Sequence, residues 1–117
     1  MDAFELSELI NQHSQSIDAY LEFLRVPALS MGMYKLSAGG IDLQEPHTED
    51  EVYYILSGRG SIQVGEENRA VEPGTIVFVG ANVEHRFHSI TEDLMILVFF
   101  APAEYTLAPE NENIEEE

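Results

Sequence analysis

A chain of 117 residues is long enough for one domain with one core and too short for two. An apolar share of 44% argues against wholesale disorder, and 22 acidic side chains against 5 basic ones, a formal charge of −17, disfavour phosphate backbones and anionic membranes as partners. Without cysteine there are no disulfides, thiolate nucleophiles or Cys-based zinc sites.

The first residues, MDAFELSELI, carry acids where a secretory signal needs bases, and the longest apolar run, Leu94 to Ala103, is about half a membrane span. A cytoplasmic protein that binds neither nucleic acid nor membrane is expected. Phe4, Leu6, Leu9 and Ile10 recur at helical spacing, as do Ile17, Tyr20, Leu21 and Leu24. They predict two short helices in an extension over residues 1–26, divided by the polar stretch Asn11 to Ser16, in which His13 should be solvent-exposed. Pro27 ends the pattern.

From Leu29 the periodicity changes. Strands are predicted at Leu29–Leu36, Ile41–His47, Val52–Leu56, Gly60–Val64, Thr75–Val79, His85–Ser89 and Leu94–Phe100, separated by glycine-, asparagine- and proline-bearing turns. Such spacing indicates an all-β sandwich or barrel over residues 27–103, not a parallel α/β sheet. Residues 104–117 form an acidic segment, expected to be a disordered tail.

The stretch QEPHTEDEVYYILSGRG crowds acids and imidazoles against an apolar run. Two readings are open: an acid-rich surface turn, or a bound cation. Glu45 and His47 lie two residues apart and share one face of the predicted strand. After a turn at Thr48–Asp50, Glu51 opens the next strand with Tyr53 and Ile55 on its face, while Val52 and Tyr54 face away. Glu49 and Asp50, in the turn, are expected to face solvent, with Glu49 an alternative to Glu45. His85 heads a distant strand, with Phe87 on its face and Arg86 and His88 alternating outward.

Gly39, Glu45, His47, Glu51 and Gly58 follow the spacing G-x5-H-x-H-x3-E-x6-G, and Gly74 and His85 follow part of G-x5-P-x-G-x2-H-x3-N, with Gly80, Asn82 and Ser89 in place of the other fixed residues. On these residues the chain resembles the cupin family, whose barrel is an antiparallel jelly roll. The resemblance implies one divalent metal ion held by Glu45, His47, Glu51 and His85, with Glu45 standing where the family has its first histidine. Iron or manganese is favoured for such an oxygen-rich set, with zinc or nickel as alternatives. It further implies an enzyme acting on a small organic molecule, dioxygenase-like first and isomerase- or decarboxylase-like second, with Glu45 as ligand or base and Tyr53 and Phe87 lining the substrate pocket. The competing reading is a non-catalytic module that binds a small molecule or a metal. A homodimer is expected, because a partner would cover the exposed sheet edges.

Overall fold

The computed structural model describes residues 1–109. A helix, α1 (Leu6–Ser14), precedes six strands: β1 (Tyr20–Val26), β2 (Leu29–Leu36), β3 (Asp50–Val64), β4 (Glu67–Val71), β5 (Ile76–Val79) and β6 (His85–Ala101). Every pairing is antiparallel, in the order β1-β2-β6-β3-β4, and β5 pairs with the first part of β3. This is the expected all-β barrel. Among the described residues no helix is long and apolar enough to cross a membrane.

Two long strands form the frame. β3 and β6 pair from Asp50↔Ala101 to Val64↔His85, and each merges two strands that the turn residues had separated. Chain reversal does not occur at Ser57-Gly58; the pairing instead shifts register between Ile55 and Ser61. The irregularities change which residues of β6 point inward. Leu94, Ile96, Val98 and Phe100 are buried at even positions, His85 and Phe87 at odd ones. Inward residues of β3 meet them as Tyr53↔Val98, Ile55↔Ile96 and Ile62↔Phe87. The resulting core also takes in Val71, Val79 and Ile90.

The N-terminal region departs from expectation. Only Leu6–Ser14 is helical; the second predicted helix is β1, paired with β2 from Tyr20↔Tyr34 to Val26↔Leu29. A register shift between Glu22 and Leu24 interrupts β1, so its half-buried residues fall in pairs and imitate a helical period. His13 is buried, not exposed. Its Nε2–H donates to the Asp18 carbonyl at 3.0 Å, and burial lowers its pKa below the ordinary value. Lys35 secures the same corner by donating to the carbonyls of His13 and Ser16 at 2.8 and 2.7 Å.

The predicted strand Ile41–His47 is irregular. Asp42 is the cause. Its buried carboxylate accepts hydrogen bonds from the Tyr34 hydroxyl (2.8 Å), the Gln44 amide N–H (3.2 Å), the Gln44 side chain (2.8 Å) and the Phe87 N–H (2.8 Å). Four donors wrapped round one carboxylate favour a turn over a ladder. At the other end, residues 104–109 are not a loose tail: they form turns packed on the barrel, while the expected tail at 110–117 lies outside the described residues.

Candidate metal centre

His47, Glu51 and His85 arrive from a loop, the start of β3 and the start of β6. Each offers one ligand atom, and these atoms lie within 4.8 Å of one another. Glu51 is 2% exposed and His85 6%. The His85 ring is oriented by its Nδ1–H, which donates to the Val83 carbonyl at 2.9 Å and so leaves Nε2 as a bare lone pair. In the neutral ring that lone pair faces Glu51 Oε1 at 3.2 Å with no proton between them, and among the described residues neither atom then has a hydrogen-bond donor. Burying two such acceptors face to face costs free energy, which a cation between them would remove, and His47 brings a further ligand atom within 4.8 Å. Two imidazole nitrogens and a carboxylate oxygen suit a divalent first-row ion.

The two histidines differ electrostatically. Burial lowers the pKa of His47, with Glu51 opposing and His85 reinforcing the change. At His85 burial also acts downward, but Glu51, the Val83 carbonyl and Asp42 together outweigh it and the pKa is raised.

Glu45 does not join the group. It is exposed and lines a surface cleft of about 370 Å³ with Gln63 and Glu84. Because Asp42 curls the chain, two-residue spacing no longer places Glu45 and His47 on one face. The inward position goes to Gln44, whose Oε1 accepts the Tyr53 hydroxyl at 3.0 Å. Tyr53 lines the cavity beside the group, whereas Phe87 packs edge-on against the Tyr53 ring at 5.0 Å within the core.

Glu49, expected in solvent, is 1% exposed. Its carboxylate accepts the Tyr105 N–H (2.8 Å), the Leu107 N–H (2.9 Å) and the Thr48 hydroxyl. The segment is held further by the Glu104 N–H on Ser30 Oγ (2.9 Å) and by Arg25 on the Glu104 carbonyl (2.7 Å). These bonds carry Glu104 and Tyr105 to a cavity of about 270 Å³ that also meets Tyr20, Tyr34, Gln44 and the His47–Glu51 pair. Glu104 Oε2 lies 3.5 Å from His47 Nδ1. Replacing Glu49 with alanine strands two amide donors, so Glu49→Ala should cost about 2 kcal/mol. Amide exchange at Tyr105 and Leu107 should accelerate well beyond that at core strand amides.

Sequence reasoning missed Tyr20, Tyr34, Gln44, Glu104 and Tyr105. The β-forming run Tyr20–Val26 was the available signal for the first; Glu104 and Tyr105 depend on a partner 56 residues away, which no local pattern announces.

The family model of the cupin domain (Cupin_2) matches residues 32–100, more than half of the chain. The chain belongs to the cupin family. This cupin is 49% identical over 104 residues to an uncharacterized protein of Streptomyces coelicolor, SCO3923, covering 89% of this chain and 99% of that one. Among solved structures, TT1209 from Thermus thermophilus superposes with a TM-score of 0.69 at 25% identity, covering 88% of this cupin and 99% of that chain. The DMSP lyase DddQ from Ruegeria pomeroyi gives 0.64 at 21% identity, covering 73% of this cupin and 48% of that chain, a likeness of fold. The matched span includes His47, Glu51 and His85 but excludes Tyr20, Glu104 and Tyr105.

Proposed function

We propose that this cupin is a mononuclear divalent-metal enzyme acting on a small, oxygen-bearing organic molecule, with His47, Glu51 and His85 as the ligands. The observation that carries this reading is that one ligand atom each of His47, Glu51 and His85 lies within 4.8 Å of the others, with Glu51 Oε1 and His85 Nε2 buried at the meeting point. When bound, the ion would supply Lewis-acid polarisation of substrate oxygens and neutralise the Glu51 charge. Val83 keeps the His85 lone pair aimed at the centre, and Gln44 holds the Tyr53 ring against the cavity wall. The apolar surfaces of Val98 and Phe100 limit water at the inner end.

Two histidines and one carboxylate match the ligand type of non-haem iron oxygenases, which supports dioxygenase-like chemistry first. A second reading, isomerisation or decarboxylation, is favoured by Glu104, a carboxylate on the cavity wall able to hold a proton beside the substrate. Oxygen consumption during turnover distinguishes the two. A binding module would show metal and ligand affinity without turnover.

Elemental analysis of natively purified protein tests the ligand set. About one divalent ion per chain is expected, lost in His85→Ala and kept in Glu45→Ala. Full metal in His85→Ala would overturn the assignment.

A further inference from the structure

Most of the polar groups on the cavity wall are already spoken for. The Tyr34 hydroxyl donates to Asp42, the Tyr53 hydroxyl to Gln44, and the Gln44 amide to Asp42. The Tyr20 hydroxyl stands apart from the His47–Glu51 group: it is buried at the cavity and has no hydrogen-bond partner among the described residues. A buried phenol left in that state costs about 1–3 kcal/mol, a penalty that a bound polar molecule removes. The pose is specific. Tyr20 lies across Gly32, where a Cβ would come within 2.1 Å of its ring, and its ring meets those of Tyr34 and Phe100 edge-on, each at 6.4 Å. Glu104 supplies a carboxylate on the same cavity.

We propose that Tyr20 and Glu104 form the recognition end of this cavity and select a small hydroxylated carboxylic acid. Resting on the metal-centre reading above, the ligand would place its carboxylate oxygens at the His47–Glu51–His85 group and a hydroxyl between the Tyr20 hydroxyl and the Glu104 carboxylate. A hydroxyl both accepts from a phenol and donates to a carboxylate through a single oxygen. The cavity, about 270 Å³, falls below the size that holds drug-like molecules, which limits the ligand to a few carbons. Two wall carboxylates, Glu51 and Glu104, disfavour a polyanion. Burial, with Glu104 next in effect, raises the Tyr20 pKa far above its ordinary value, so the phenol stays a donor.

The test is calorimetry on manganese-loaded full-length protein with matched acids: glycerate against propanoate, and threonate against butanoate. Metal content is measured on the same samples. The hydroxylated member of at least one pair should bind roughly tenfold tighter than its deoxy counterpart. Tyr20→Phe should cut that preference about three- to tenfold while leaving manganese content and deoxy-acid binding unchanged. Gly32→Ala, which forces the Tyr20 ring aside, should reproduce the loss. Loaded protein with no preference for a hydroxylated acid, whether both members bind or neither does, overturns the proposal while sparing the metal centre. A full preference retained in Tyr20→Phe does the same. Protein that takes up no manganese at the triad sinks the metal-centre reading, and this inference with it.

Discussion

Gly58→Ala should lower the unfolding free energy by about 3 kcal/mol or more, read from urea titrations. Gly58 sits in the irregular stretch of β3 at φ +93°, where a side chain is strained at a cost of roughly 1 kcal/mol. The larger penalty is steric. A Cβ there would stand 2.1 Å from the Asp93 carbonyl oxygen, 2.6 Å from its carbon and 2.8 Å from Leu94 Cα. All three are backbone atoms of β6, so no rotamer change relieves the clash. The strands would have to separate at the register shift that sets which residues of β6 face inward. Gly74 is the internal control: it has φ +95° but a Cβ there meets nothing within 4 Å among the described residues, so Gly74→Ala should cost only the conformational part. Equal losses in the two variants would show that the β3–β6 contact at Gly58 is looser than described.

Glu104→Gln should stabilise the metal-free protein at high pH and leave it unchanged in acid. Burial raises the Glu104 carboxyl from 4.5 to about 7, helped by the charges of Glu51, Glu22 and Glu49 and opposed in part by Arg25. The folded chain therefore holds this proton to higher pH than the unfolded chain does. Ionisation is a cost to the fold, absent below about pH 4.5, growing toward pH 7 and complete above it. A shift of that size corresponds to roughly 3 kcal/mol at most. With a chelator present, the glutamine variant should exceed the parent by about 2–3 kcal/mol at pH 8.5 and match it at pH 4.5. An advantage equal at both pH values would mean that the carboxyl titrates as in solvent. A divalent ion on the neighbouring group should shrink the high-pH difference, because a nearby cation favours the ionised form.

Where the sequence was legible, the backbone was regular. Period-two alternation along β3 correctly put Glu51, Tyr53 and Ile55 on the inner face and Tyr54 outside. The motif spacing singled out His47, Glu51 and His85, the three residues that the fold brings together. Errors arose where side chains override the backbone period. Asp42 gathers four donors and turns Gln44 inward in place of Glu45. The register shift in β1 mimics a helix. The acidic composition of 104–117 suggested disorder throughout, yet two amides of its first residues satisfy the buried Glu49. Composition reports average solvation, and a single buried acceptor is invisible to it.

The matched span, residues 32–100, keeps the His47–Glu51–His85 group but omits three residues of the cavity wall, Tyr20, Glu104 and Tyr105. On the proposed reading, the metal ligands and part of the recognition end therefore lie in separable stretches of the chain. Side-chain changes at Tyr20, Glu104 or Tyr105 would then retune which molecule fits while the imidazoles of the central stretch stay untouched.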